Sequence, residues 1–218
     1  MKKAKRTELV FICDRSGSMY GLEKDTIGGY NSMLNKQKQQ DGEVRVTTVL
    51  FDDRYELLHD RLDIQAVRPI TEKEYYVQGG TALLDAIGKT INKIVAVQRS
   101  TAPEMRAEQV MFVIITDGME NASREFRADQ VKAMVEHEKT KYGWEFLFLG
   151  ANIDAVETAG HMGIAPDRAV NYHADAKGTA VNYEAISQTI SNFRECGCVP
   201  TAWQAPIQAD YESRRRNR

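Results

Sequence analysis

The chain has 218 residues, 42% hydrophobic and 28% charged, which is enough apolar material for one sizeable core and points to a single large domain rather than two. Its 29 basic and 31 acidic residues leave a formal net charge of −2, so no global electrostatic attraction to nucleic acid or an anionic membrane is expected. Three cysteines, Cys13, Cys196 and Cys198, exclude a disulfide framework and suit a reducing compartment.

The basic start MKKAKRTELVF leads into an apolar run too short for a signal-peptide core or a membrane span, so a cytoplasmic protein is expected. Leu9 to Cys13 is short, β-rich and nearly all apolar, the pattern of a central strand buried on both faces. It ends abruptly in Asp14-Arg15-Ser16-Gly17-Ser18. From about Glu23 to Gln39, Ile27, Tyr30, Met33 and Leu34 recur at helical spacing. Val44 to Phe51 alternates and is β-branched, and a short polar turn at Asp52-Asp53-Arg54 leads to Tyr55–Leu58, which predicts a hairpin and an antiparallel edge strand.

Gln78-Gly79-Gly80-Thr81 precedes a helix expected from about Ala82 to Gln98, with Leu83, Leu84, Ile87, Ile91 and Ile94 on its buried face. Gln109 to Ile115 reads as another buried strand, ending in Thr116-Asp117-Gly118. A helix over about 128–142, a strand over 144–149, a short helix over 153–161, a strand over 169–172 and a helix over 179–193 complete the pattern. Such strand–helix alternation predicts a doubly wound, mostly parallel six-stranded sheet with one antiparallel edge strand and helices on both faces. In sheets of this kind ligands sit beyond the carboxyl ends of the strands, and both Asp14 and Asp117 lie just past such an end.

Three short segments therefore converge on one rim: Asp14-x-Ser16-x-Ser18, Thr81, and Asp117. Each offers hard oxygens and none offers imidazole or thiolate, the donor chemistry of Mg²⁺ or Mn²⁺. Taken singly, the serine run reads as a turn or N-cap, Thr81 as the cap of its helix, and Asp117-Gly118 as a strand-to-loop turn. Together and in this order they resemble the von Willebrand factor type A (VWA) domains, whose metal-ion-dependent adhesion site (MIDAS) combines D-x-S-x-S with a separate threonine and a later aspartate. All five positions are filled, in "DRSGSM", "GGTALLDAI" and "ITDGMEN".

The resemblance runs from about Glu8 to Phe193 and is closest to small, stand-alone bacterial cytoplasmic members. It implies a Rossmann-like fold over residues 1–195. Residues 196–218, polar and ending SRRRNR, are expected to form a poorly ordered tail. It also implies that Ser16, Ser18 and either Thr81 or Asp117 contact a Mg²⁺ or Mn²⁺ directly, while Asp14 and the remaining residue act through water. The position left open would take an Asp or Glu of a partner protein. A metal-dependent protein-binding module, not an enzyme, is the function this implies.

Two other classes stand beside that reading. A metal-dependent phosphoester hydrolase would need a nucleophile or general base. The rim offers only Asp14, Asp117 and Glu120, and His59, His137, His161 and His173 fall on separate elements. A scaffold with a vestigial metal site, or an RNA-associated module using the basic tail, is the other alternative. Nucleotide binding is disfavoured, because neither G-x-G-x-x-G nor a G-K-[ST] loop follows the first strand.

Several neighbours carry two readings. Arg15 either steers an acidic partner or is solvated. Glu120 and Asn121 either rim the site or serve turn chemistry, and Asp85 suits the first turn of its helix through the macrodipole alone. Asp52 and Asp53 fit the hairpin turn. Cys196-Gly197-Cys198 lacks a second Cys/His pair at zinc spacing and reads as two ordinary thiols.

Overall fold

The computed structural model describes residues 5–215. Six strands form one sheet: β1 (Thr7–Asp14), β2 (Val44–Phe51), β3 (Tyr55–Asp63), β4 (Gln109–Thr116), β5 (Glu145–Gly150) and β6 (Ala169–Asn171). Their spatial order is β3-β2-β1-β4-β5-β6. All neighbours are parallel except β2 and β3. The hairpin and its antiparallel edge strand are thus as the alternation at 44–58 predicts. β3 runs five residues past Leu58, however, and does so across register shifts near Thr48 and a positive φ of 49° at Arg61. Apolar alternation fades there, which is why the pattern did not extend so far.

Period-two side-chain alternation divides the interior into two layers. Leu9, Phe11 and Cys13 face one layer with Met111, Val113 and Ile115; Val10 and Ile12 face the other with Val110, Phe112 and Ile114. The first layer is covered by α1 (Glu23–Lys38), α5 (Ala176–Cys196) and α6 (Ala205–Arg215), and the second by α2 (Leu83–Ser100), α3 (Ala128–Tyr142) and α4 (Ala155–His161). In α2, Leu83, Ile87, Ile91 and Ile94 are buried as the sequence predicts, whereas Leu84 is only partly buried and Ala86 joins the buried face. Burying each such side chain contributes about 1.5–3 kcal/mol. α5 begins three residues earlier than its apolar stripe, because the Asp175 carboxylate accepts the Gly178 N–H at 2.8 Å as an N-cap.

The tail expected to be poorly ordered is instead folded as far as it is described. Gly197, at a φ of +76°, ends α5. Val199, Trp203 and Ile207 then sink into the first layer, and the Trp203 indole donates to the Asp167 carbonyl at 2.8 Å. Arg214 of α6 pairs with Asp175 and with Asp210, each at 2.5 Å. Three apolar anchors scattered through a polar stretch form no periodic stripe, so the helix was invisible to patterning; its order comes from tertiary docking. Residues 216–218, the end of the SRRRNR run, lie outside the described residues.

The topology fixes where a site can form. From β1 the chain winds outward through β2 to β3, then returns to the opposite side of β1 at β4. Strand order therefore reverses between β1 and β4, which opens a crevice at their carboxyl ends. Asp14 closes β1 and Thr116 closes β4.

Candidate functional site

All five sequence-predicted residues meet at that crevice. The Ser16 and Ser18 hydroxyls lie 3.0 Å apart, and the Thr81 hydroxyl donates to Ser16 Oγ at 2.9 Å. Asp14 accepts the Ser16 N–H at 2.7 Å through Oδ1 and the Thr116 hydroxyl at 2.6 Å through Oδ2. Gly118, next to Asp117, packs so tightly here that a methyl in place of its hydrogen would lie 2.8 Å from Ser18 Oγ and 3.0 Å from Thr81 Oγ1. Asp117 thus shares the rim with all three hydroxyls.

Backbone contacts lock the three loops together. Gly17 N–H donates to the Gly79 carbonyl at 3.1 Å and Gln78 N–H to the Arg15 carbonyl at 3.0 Å. Asn121 and Ala122 donate to the Thr81 carbonyl at 3.1 and 3.2 Å. The Tyr75 hydroxyl, buried in the core, donates to the Asp14 carbonyl at 2.5 Å. Gly79 holds a φ of +64°, a backbone that side chains bearing a Cβ rarely adopt.

The electrostatics are lopsided. Asp14 and Asp117 are 1% and 2% exposed. Burial pushes the Asp14 carboxyl up to about 6; hydrogen bonds from Thr116 and Ser16 oppose the rise and the nearby Asp117 charge adds to it. Burial likewise raises the Asp117 carboxyl, with the Ser18 hydroxyl opposing. That hydroxyl is close enough to act on the charge but does not form a hydrogen bond of normal geometry, and both Asp117 oxygens are buried without a partner. A buried, unsatisfied carboxylate is costly. The set around it consists of hydroxyl and carboxylate oxygens, the hard donors that a small divalent cation prefers. Among the described residues no three His, Cys, Asp or Glu side chains cluster as a metal site; here hydroxyls outnumber carboxylates.

Among the neighbours, Glu120 follows one of its two sequence readings and Arg15 follows neither. Arg15 neither steers a partner nor is solvated. The residue is 2% exposed, and its guanidinium pairs with Asp52 at 3.1 Å and Glu56 at 2.6 Å beside the Tyr76 ring. Asp52 is therefore a buried organiser, also receiving the Gln78 amide at 2.9 Å and the Arg54 N–H at 2.7 Å. The Glu120 carboxylate serves turn chemistry, accepting the N–H groups of Leu84, Ala122 and Ser123. Asn121 Oδ1 accepts the Thr81 N–H at 2.9 Å. Asp85 does more than face a helix dipole, since it accepts the N–H groups of Arg124, Glu125 and Phe126 and so pins the loop after Asp117. Thr116 was not singled out from sequence, because a threonine ending an apolar strand is too common to signal anything. Tyr20 and Met119, 82% and 73% exposed, stand on the outside of the same loops.

Comparison with known proteins agrees with the fold. The chain superposes on the vWF domain of the type V pili tip protein Mfa5 from Porphyromonas gingivalis with a TM-score of 0.62, at 12% identity over 90% of this chain and 99% of that one. Proximal thread matrix protein 1 from the mussel byssus gives a TM-score of 0.57 at 12% identity, covering 85% of this chain and 46% of that one. A von Willebrand factor type A protein from Catenulispora acidiphila gives 0.57 at 13%, covering 85% and 42%. This chain thus spans less than half the length of the last two. No curated protein matches the sequence. The family model described as "VWA domain containing CoxE-like protein" matches residues 1–145, a stretch that includes all five rim residues. The chain belongs to this VWA family.

Proposed function

We propose that the protein is a binding module that grips an acidic side chain of a partner protein through Mg²⁺ or Mn²⁺ held by Asp14, Ser16, Ser18, Thr81 and Asp117. The observation that carries this reading is the Asp117 carboxylate, whose two buried oxygens have no protein partner while three hydroxyls converge beside it. Such a pocket is destabilised as it stands and stabilised by a cation. Asp14, both of whose oxygens already accept protein hydrogens, acts as the positioning group behind the ligands. A cation surrounded mainly by neutral hydroxyls stays under-neutralised and attracts a further carboxylate, which the partner supplies. Exposed Tyr20 and Met119 offer apolar contact around that carboxylate. No helix among the described residues is long and apolar enough to cross a membrane. We place the domain in the cytoplasm, a compartment that suits its three free thiols.

The deciding experiment is a metal titration read by thermal unfolding, paired with a pull-down in Mg²⁺ and in EDTA. Mg²⁺ or Mn²⁺ raises the melting temperature of the wild type and not of Asp14→Ala, and a partner is retained only with metal and wild-type protein. Identical melting curves in EDTA and excess Mg²⁺ refute the metal site. Metal-dependent turnover of a phosphoester, lost in Asp117→Ala, would replace the binding module by a hydrolase.

A further inference from the structure

We propose that Cys196 and Cys198, at the far end of the sheet from the candidate metal site, form a thiol–disulfide exchange site whose co-reactant is a low-molecular-weight disulfide of the oxidised-glutathione type. Cys196 is the last residue of α5. The left-handed backbone of Gly197, φ +76°, folds the chain back at that point, so that the two sulfurs stand 2.9 Å apart. Both residues are exposed. Cys196 also lines an open cleft of about 1250 Å³ with Lys5, Gln40, Asp41, Glu108 and Arg194, wide enough to admit a tripeptide-sized reagent.

The surroundings assign the order of attack. The two thiols share a hydrogen bond in which either sulfur can donate, and that contact lowers the Cys196 pKa and raises that of Cys198. A methyl at Gly197 would lie 3.2 Å from Lys5 Nζ, so an ammonium group sits beside the turn that joins the thiols. Cys196 is thus the attacking thiolate and Cys198 the resolving group. Cys13, the remaining cysteine, is buried, and burial pushes its thiol up to about 12; it takes no part.

In the first step the Cys196 thiolate attacks one sulfur of oxidised glutathione. A mixed disulfide forms, and one glutathione thiolate leaves and takes up a proton. In the second, Cys198 loses its proton and attacks the Cys196 sulfur, which expels the second glutathione as a thiol. The protein pair gives up two electrons and two protons, and the small disulfide gains both. The ring closed across one glycine is short and strained, and strained, exposed disulfides are easily reduced, so the bond reopens with a dithiol reductant.

The test uses the full chain, reduced, freed of reductant and incubated with oxidised glutathione, then read by intact mass. Wild type loses about 2 Da, and a dithiol reductant reverses the change. Cys198→Ser cannot resolve and stops at an adduct heavier by about 305 Da. Cys196→Ser reacts several-fold more slowly, with Cys198 as its only exposed thiol. Gly197→Ala, which strains the left-handed turn, slows ring closure while leaving adduct formation intact. The proposal is overturned if wild type accumulates a stable adduct like Cys198→Ser, forms disulfide-linked dimers, or stays fully reduced.

Discussion

The Thr116 hydroxyl donates to Asp14 Oδ2 at 2.6 Å, across the ends of the two strands between which strand order reverses. With Ser16 N–H on its other oxygen, Asp14 is satisfied by the protein, whereas Asp117, on the same rim, is not. The two carboxylates thus have separable roles, and Asp117→Asn tests this. Without divalent ions the variant melts at or slightly above wild type, because the substitution removes a buried charge that costs stability. With Mg²⁺ at 100 times its dissociation constant, wild type gains about 2.7 kcal/mol and the variant gains little. Equal stabilisation of both proteins by Mg²⁺ would remove Asp117 from the site.

Asp85 anchors the loop that follows Asp117. Burial opposes its ionisation, but three backbone N–H groups more than offset that and hold its carboxyl below the usual carboxylate range. A depressed pKa in the folded state gives stability that is present above the unfolded value and lost as pH falls through the folded one. Asp85→Asn, which keeps one acceptor oxygen and adds an amide with nothing to receive it, costs about 1–3 kcal/mol at pH 7. The difference from wild type shrinks as pH falls below about 4, the unfolded-state value, toward the lower folded one at which the native carboxyl protonates. Urea unfolding across that range measures it; a pH-independent difference would mean that the charge is not what holds the loop.

Much of this architecture was written in local patterns. The mostly parallel six-stranded sheet, the antiparallel edge and most of the α2 stripe follow from alternation and helical spacing, because those features report burial on one or two faces directly. The rim could be assembled in advance because Asp14 ends, and Asp117 directly follows, a strand buried along its whole length. What stayed hidden was pairing at a distance. Nothing near Asp52 in sequence tells that it is buried against Arg15, and a hairpin turn supplied an adequate local reason for it. α6 was hidden likewise, since Trp203 and Ile207 acquire their meaning only against β6 and α5, which approach them in the fold.

The Arg15–Asp52 pair carries its own expectation. Both side chains are almost fully buried, so removing one leaves an uncompensated charge. Arg15→Met costs about 2–4 kcal/mol, and adding Asp52→Asn to it recovers part of that loss in a double-mutant cycle. Because the Arg15 carbonyl also receives Gln78 N–H, loosening this loop reduces the Mg²⁺-dependent stabilisation as well. Unchanged unfolding in Arg15→Met would return the residue to the role of a solvated or partner-steering arginine.

The docking of the C-terminal segment rests on Trp203, 4% exposed, with its indole N–H on the Asp167 carbonyl. Trp203→Ala removes the ring from the layer shared with α5 and β6 and costs about 3–5 kcal/mol. Trp203→Phe keeps most of the packing and forfeits the hydrogen bond, leaving the Asp167 carbonyl to water, for a cost of about 1 kcal/mol. Chemical denaturation of both variants gives the two numbers, and α6 should become the first segment cleaved by protease in the alanine variant. If neither substitution moves the midpoint by more than about 0.5 kcal/mol, the level expected of surface sites, the segment after Cys198 is not docked in solution, and the poorly ordered tail expected from its polar composition is the better description.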